Sequence, residues 1–233
     1  MKEGLSQEEA INGIFLFDSH GLVTKDREGL TPLKQKFAHE LEPQSTFLDA
    51  IGEVKPTAIV GCAAQAGSFN AYVLSAMARI NERPIIFALS NPTSRSECTA
   101  REAYTYTEGK CLFASGSPFP QVELNGKTFI PRQSNNSYVF PGIGLGLVTA
   151  SPRVVPQSVF LSAAEALSKK VSDEDLENGS LFPSLTKIRE VSQSIAAAVA
   201  EECFTAGVAG VPKPKDLSEA IQAALYKPVY AQI

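Results

Sequence analysis

Short apolar runs alternate with helical patterns through the first half of the chain. The apolar runs are GIFLF (13–17), TAIVGCA (57–63), PIIFAL (84–89) and CLFA (111–114). The helical patterns lie at Leu30–Glu40, Asn70–Ile80 and Thr99–Thr107. Continuous rather than alternating hydrophobicity is typical of parallel strands buried on both faces. The pattern predicts an α/β fold, a doubly wound, Rossmann-like parallel sheet with helices on both faces.

Beyond Tyr138 the pattern becomes helical. Pro141–Thr149 is apolar, Val159–Lys170 is amphipathic, and Pro183–Phe204 carries a long apolar stripe rich in alanine. Asp173–Ser180 is polar and is interpreted as a turn between helices. We therefore expect a single domain over residues 1–233, with a parallel α/β core in 1–138 and a mainly helical extension in 139–233.

Charge and composition exclude several classes of protein. The 25 acidic and 21 basic residues leave a net charge of −4, which argues against a nucleic-acid partner. The most apolar stretch, Phe140–Ala150, is shorter than the roughly 18 residues that indicate a membrane span. We expect a cytoplasmic protein with no membrane partner, unless an organelle-targeting peptide precedes Met1.

Catalytic and metal-binding motifs are not recognisable in the sequence. The four cysteines form no C-x-x-C pair, and the two histidines, His20 and His39, stand beside no second metal-type ligand. The sequence contains no G-x-S-x-G, Walker A or H-E-x-x-H pattern. We therefore predict reduced, structural cysteines, no zinc site or redox motif, and no hydrolase centre.

An acidic residue follows the first apolar run. Asp18, at the end of a buried strand, could accept hydrogen bonds from adenosine ribose hydroxyls, as in dinucleotide-binding folds. It could equally form a local turn in Asp18-Ser19-His20-Gly21. The triplet Gly142, Gly144, Gly146 resembles half of a dinucleotide fingerprint, but it follows a polar loop, so we interpret it as close helix packing.

Three asparagines are candidates for recognising a carboxylate. Asn91 follows PIIFALS at the expected carboxyl edge of the sheet, where open α/β folds bind ligands. Asn135 and Asn136 are adjacent in a polar loop before an apolar helix. Their amides could donate hydrogen bonds to a small dicarboxylic or hydroxy acid. Turn formation and helix capping are equally consistent with the sequence.

Several long strings resemble the carboxyl-terminal half of malic enzymes, from about Glu3 to about Phe204. They are, in order, FDSHGLVTKDR, KPTAIVG, INERPIIFALSNPTSRSECTAREAY, FASGSPF, NNSYVFPG and VSDEDLENGSLFPSLTKIREVS. Malic enzymes oxidise L-malate with NAD or NADP and decarboxylate the product to pyruvate and carbon dioxide, using Mg²⁺ or Mn²⁺. An unrelated nicotinamide-dependent dehydrogenase would share the fold but would explain none of these strings.

The resemblance also implies what precedes this segment. In the family, the metal carboxylates, the lysine and tyrosine that transfer protons, and the glycine-rich cofactor turn all lie upstream of the matching region. We therefore expect no catalytic or metal-ligating residue in this segment and the first βα unit to be missing. We also expect the isolated chain to be inactive or nearly so, and the family protein to be a homo-oligomer. The alternative is a noncatalytic partner or regulator within malic enzyme oligomers.

The resemblance assigns the substrate-side residues. Asn91 in LSNPT and Asn136 in SNNSY match the amides that hold the malate carboxylate, and Asn135 lies near the nicotinamide. Ser134 replaces a glycine usually found before this pair, and an added Cβ could demand a different φ there.

The resemblance also implies that residues 1–233 form the NAD(P)-binding domain of the family, and it assigns residues on the cofactor side. Asp18 matches the acid on the adenosine ribose, and Ser19 and Lys34 match NADP-preferring members, in which a lysine pairs with the 2′-phosphate. Gly67 is expected to contact the nucleotide through its backbone or to serve packing. Its neighbour Ala66 replaces a glycine common in the family. These matches favour NADP over NAD.

Overall fold

The computed structural model describes residues 4–226. The helices are α1 (Gln7–Asn12), α2 (Pro32–Lys36), α3 (Phe47–Val54), α4 (Ala71–Ile80), α5 (Ala100–Tyr106), α6 (Phe140–Ala150), α7 (Ser158–Ser168), α8 (Asp173–Glu177), α9 (Ile188–Thr205) and α10 (Leu217–Ala224). The strands are β1 (Phe17–Asp18), β2 (Gly21–Leu22), β3 (Ala58–Gly61), β4 (Ile85–Ala88), β5 (Leu112–Ser115), β6 (Val122–Leu124) and β7 (Lys127–Phe129). Short 3₁₀ helices occur at Thr93–Arg95, Asn136–Tyr138 and Leu185–Lys187.

A three-stranded sheet in the order β3-β4-β5 forms the structural centre of the first half. β3 and β4 are parallel, with Ile59 opposite Ile86 and Gly61 opposite Ala88. Helices α4 and α5 follow β3 and β4 in sequence, as in a βαβ arrangement. The predicted α/β fold with a parallel sheet is confirmed.

The first apolar run does not join this sheet. Within GIFLF only Phe17 is in a strand, and β1 pairs with β2 in an antiparallel hairpin, Phe17 opposite Leu22. The His20 amide donates to Asp18 Oδ1 at 2.9 Å, which closes an Asx turn and reverses the chain. The prediction of a buried strand over residues 13–17 was therefore wrong, and Ile14 is 46% exposed.

Strand β3 is buried on one face only. Ile59 and Gly61 are buried, whereas Ala58 and Val60 are exposed, Val60 by 56%. Within the described residues β3 is also the last strand of the three-stranded sheet, with β4 as its neighbour on one side. The expectation that residues 57–63 are covered on both faces was wrong.

Side-chain caps fix where several helices begin. Ser6 with Glu9 and Thr99 with Glu102 form the capping boxes expected from the sequence at α1 and α5. Asn70 caps α4 by accepting hydrogen bonds from the Tyr72 and Val73 amides. A third capping box, Ser172 with Asp175, starts α8 in the segment expected to be a turn. That expectation was wrong because the cap, and not apolar spacing, specifies this short helix.

The chain divides into two compact units. The first comprises residues up to Phe113 together with Val122–Lys127, and the second comprises Ala114–Gln121 together with the residues from Thr128 onward. The core of the second unit is formed mainly by α6, α7 and α9. Its fully buried side chains include Tyr138, Val159, Val191, Ile195, Val199 and Cys203. Within residues 4–226, no helix is long and apolar enough to cross a membrane.

Candidate functional site

The turn between β1 and β2 carries a cluster of charges around Asp18. Nη2 of Arg27 lies 3.1 Å from both carboxylate oxygens of Asp18, and Nη1 donates to the carbonyls of Gly21 and Leu22. Both charged side chains are largely buried, at 19% and 20% exposure. The Arg27 guanidinium therefore stabilises the hairpin and neutralises the charge of Asp18.

Lys34 is the second cation of this cluster. Its Nζ lies 2.5 Å from Oδ2 of Asp18, and its side chain is 38% exposed. Thr31 caps the start of α2 by accepting a hydrogen bond from the Lys34 amide, and Lys34 is the third residue of that five-residue helix. Two cations against one carboxylate leave one net positive charge, and the lysine is the cation that reaches solvent.

The ionisation of Asp18 reflects its surroundings. Burial of the carboxylate raises its pKa, but hydrogen bonds from Lys34, Arg27 and the His20 amide outweigh burial and hold the pKa well below its usual range. Ser19 is exposed beside this turn, and its Oγ lies 3.2 Å from Nδ1 of His20. The structure thus brings Asp18, Ser19 and Lys34 together, and it adds Arg27.

Arg27 was missed in the sequence, where Lys34 alone was considered as the compensating cation. The two-residue hairpin brings Arg27 back onto Asp18 across nine positions. The acidic residue followed by a turn and then an arginine was the available signal, because a buried carboxylate requires a partner.

The segment that follows β3 forms a loop, residues 62–69, at the carboxyl end of that strand. Gly67 in this loop has a φ of 72°, which disfavours other residues, and a Cβ built on it meets no atom within 4 Å. Its amide donates to the Ser96 carbonyl at 3.3 Å. Of the two roles expected for Gly67, packing therefore finds no support, and a backbone role remains a prediction.

Asn91 lies just beyond the carboxyl end of β4. Its side chain is exposed, and its Nδ2 donates to the Leu89 carbonyl at 3.3 Å. The preceding residue, Ser90, is buried at 5% exposure and anchors the turn. Asn91 thus occupies the carboxyl edge of a parallel strand, the position from which open α/β sheets contact ligands.

Asn135 and Asn136 lie in the second unit. Asn135 Oδ1 accepts a hydrogen bond from the Ser137 amide at 2.9 Å and so caps the 3₁₀ helix Asn136–Tyr138. Asn136 is exposed as the first residue of that helix. The Ser134 amide donates to the Ser115 carbonyl at 2.7 Å, which fixes the pair beside the end of β5.

Residues 4–226 contain no group of three histidine, cysteine, aspartate or glutamate side chains arranged to hold a metal ion. The described residues therefore do not fit a Mg²⁺ or Mn²⁺ site. They do fit part of a phosphorylated nucleotide, since a net positive cluster at a turn and an open glycine loop after a parallel strand are both present.

Comparison with known proteins identifies the family. The family described as "Malic enzyme, NAD binding domain" matches residues 1–204. The chain belongs to this family. The resemblance of its long sequence strings to malic enzymes is thereby confirmed.

This malic enzyme domain is similar to proteins named as NADP-dependent and to proteins named as NAD-dependent malic enzymes. It is 47% identical over 231 residues to the NADP-dependent malic enzyme of Anas platyrhynchos, covering 98% of this chain and 42% of that protein. It is 46% identical over 232 residues to the mitochondrial NAD-dependent malic enzyme of Ascaris suum, covering 99% of this chain and 36% of that protein. The chain thus spans about two fifths of the length of these relatives.

A solved structure shares the fold. The crystal structure of Entamoeba histolytica malic enzyme superposes with a TM-score of 0.69 at 21% identity, over 90% of this chain and 40% of that one. The solved structure supports the Rossmann-like fold, and the family match identifies the chain as an NAD(P)-binding domain of the malic enzyme family.

Proposed function

We propose that this chain is the cofactor-binding domain of an NADP-dependent malic enzyme, which converts L-malate to pyruvate and carbon dioxide while reducing NADP. The observation that carries the choice of NADP is the Asp18–Arg27–Lys34 cluster. A 2′-phosphate close to Asp18 would be repelled by an uncompensated carboxylate. Two cations reverse the sign of the charge at this turn.

The two cations have different roles in this proposal. Arg27 is fixed by two backbone carbonyls and by Asp18, so it holds the turn. Lys34 makes one ion pair and is more exposed, so its ammonium turns from Asp18 to the 2′-phosphate when the cofactor binds. Oδ2 of Asp18 keeps its contact with Arg27 and can then accept a further hydrogen bond from a ribose hydroxyl, while Ser19 adds a hydroxyl donor beside the phosphate.

The asparagines serve the substrate side. The family resemblance assigns Asn91 and Asn136 to the malate carboxylate and Asn135 to the nicotinamide side, and each is a neutral amide that can donate a hydrogen bond without adding charge. Asn135 Oδ1 is occupied by the Ser137 amide, which leaves its Nδ2 hydrogens for the ligand. No described residue is assigned to proton transfer or to the metal, so we expect the 233-residue polypeptide to bind NADP(H) without turning over malate.

Titration of the chain with NADPH and NADH, followed by nicotinamide fluorescence, tests this proposal. We expect NADPH to bind more tightly, and Lys34→Gln to weaken NADPH binding about ten- to a hundredfold, the worth of one charge-assisted hydrogen bond. NADH binding should change by less than about twofold, because NADH carries no 2′-phosphate.

Lys36→Gln is the matched control, since Lys36 lies on the same helix and the substitution removes the same charge. Its Nζ lies 5.8 Å from the centre of the Phe37 ring and makes no described contact with Asp18. Equal affinity for the two nucleotides, or equal losses in both lysine variants, would refute the NADP assignment. Malate-dependent formation of NADPH by the chain alone would refute the expected inactivity.

A further inference from the structure

A buried acidic side chain lies at the carboxyl end of the sheet, outside the residues discussed above. Glu97 is 1% exposed, and it forms no salt bridge within residues 4–226. Burying a carboxylate without a cation is costly, and a core position needs no charge. We therefore looked for a structural role that requires the Glu97 carboxylate at this position.

Within residues 4–226, the hydrogen bonds to the Glu97 carboxylate come from one residue, Ser90. The Ser90 hydroxyl donates to Oε1, and the Ser90 amide donates to Oε2 at 3.3 Å. Ser90 directly precedes Asn91. The carboxylate therefore fixes both the side chain and the backbone of the residue that sets the position of Asn91.

The same serine connects Glu97 to the 62–69 loop. Ser90 Oγ accepts a hydrogen bond from the Ala64 amide at 2.8 Å, and Ala64 has a left-handed φ of 54°. The backbone of the Glu97 segment also holds this loop, because the Phe69 amide donates to the Glu97 carbonyl at 3.0 Å. Both ends of the loop thus depend on Ser90 and Glu97.

Strand β3 is adapted to this carboxylate. A Cβ placed on Gly61, the last residue of β3, would overlap the Glu97 side chain. Glycine at this position lets the carboxylate lie across the ends of both β3 and β4. The two strand ends, the loop and the Asn91 turn therefore share one buried group.

We infer that Glu97 is a positioning residue, which acts through Ser90 to hold the 62–69 loop and Asn91 in the arrangement that receives the nicotinamide half of the cofactor. The inference rests on the proposed function. A carboxylate suits the task because both of its oxygens accept hydrogen bonds. In Glu97→Gln, an amide donor replaces one acceptor and faces a donor of Ser90.

Glu97→Gln and Ser90→Ala test the inference, with Glu102→Gln and Ser180→Ala as matched controls. Glu102 is an exposed residue of the capping box of α5, and the buried Ser180 hydroxyl donates to the Ile130 carbonyl rather than to the loop. We expect both test variants to bind NADPH at least tenfold more weakly and to bind adenosine 2′-phosphate normally, because that probe occupies only the Lys34 end.

Hydrogen exchange of the Gly67 and Phe69 amides gives a second measurement that needs no ligand. These amides do not contact either altered side chain, so faster exchange in both test variants, but not in the controls, supports the inference. Equal loss of NADPH and adenosine 2′-phosphate binding, or unchanged exchange, would overturn it. If the unaltered chain binds neither nucleotide, the proposed function fails, and the exchange rates alone decide the positioning role.

Discussion

At the scale of single residues, the ion pairs at the β1–β2 turn stabilise the folded chain but reduce the net free energy of phosphate binding. Asp18 is surrounded by Arg27, Lys34 and the His20 amide, which together satisfy both of its oxygens. This arrangement stabilises the hairpin in the absence of a ligand. It also means that Lys34 must leave a close ion pair to meet a phosphate, so part of the binding energy is offset.

Asp18→Asn tests the stabilising part of this cluster. Since the folded-state pKa of Asp18 lies below its unfolded value, its contribution is present above about pH 4 and is lost as the pH falls further. We expect the variant to lose about 1–3 kcal/mol of unfolding free energy at neutral pH. The difference from the unaltered chain should shrink below about pH 4.

Urea unfolding at several pH values measures both effects. Asp26→Asn, which alters an exposed carboxylate in the same connection, is the control and should change stability little at any pH. A difference between Asp18→Asn and the unaltered chain that stays constant from neutral to acid pH would show that ionisation of Asp18 is not the source of the stability.

The sequence located the candidate residues but not their partners. Asp18 was open to two interpretations, a ribose-binding acid and an Asx turn, and the structure shows the turn while the first stays a prediction. Its contact with Arg27 depends on the reversal between β1 and β2, which apolar spacing does not encode. Glu97 gave no signal, because its burial comes from the meeting of two strand ends.

At the scale of elements, glycines decide how closely α6 approaches α9. A Cβ on Gly146 would lie 2.6 Å from the Ala196 carbonyl oxygen, and one on Gly142 would lie 2.7 Å from Ile195 Cβ. Gly144, between them, has nothing within 4 Å. The predicted helix with close backbone packing is confirmed for the two outer glycines, which lie one turn apart on the same face.

Gly146→Ala and Gly144→Ala make a matched pair. We expect Gly146→Ala to destabilise the chain by about 1–3 kcal/mol, because the contact is with backbone that cannot move aside cheaply. Gly144→Ala should stabilise it by up to about 1 kcal/mol, because alanine favours a helix interior. Denaturant unfolding measures both changes, and equal effects of the two substitutions would contradict the packing role.

Element prediction succeeded where apolar period and capping agreed and failed where a local turn dominated. Asn70 followed by an apolar stripe predicts a helix that the structure shows as α4, and the apolar run Pro84–Leu89 predicts a strand that it shows as β4. The hairpin β6–β7 was overlooked, although Asn125 and Gly126 have φ values of 52° and 76°, as expected for an Asn-Gly hairpin turn. Its strands have three residues each, too few for alternation to stand out.

At the scale of the whole molecule, an outer strand with an exposed apolar face combines with a small net charge. Among the described residues β3 is the last strand of the three-stranded sheet, and the Val60 side chain on its exposed face is 56% accessible. The net charge of −4 gives little repulsion between copies. Open strand edges with apolar side chains tend to pair with other chains. We therefore propose that the isolated chain self-associates through β3, which is separate from the homo-oligomer that the resemblance implies for the family protein.

Val60→Lys tests this association, because a lysine on an edge strand opposes pairing between strands. Sedimentation velocity over a range of concentrations should show association of the unaltered chain and a shift of at least about tenfold toward higher concentration in the variant, equivalent to about 1.4 kcal/mol. Gln222→Lys, on the exposed side of α10, adds the same charge away from the sheet and should leave association unchanged. A monomeric unaltered chain, or equal shifts in both lysine variants, would show that the β3 edge does not mediate contact between copies.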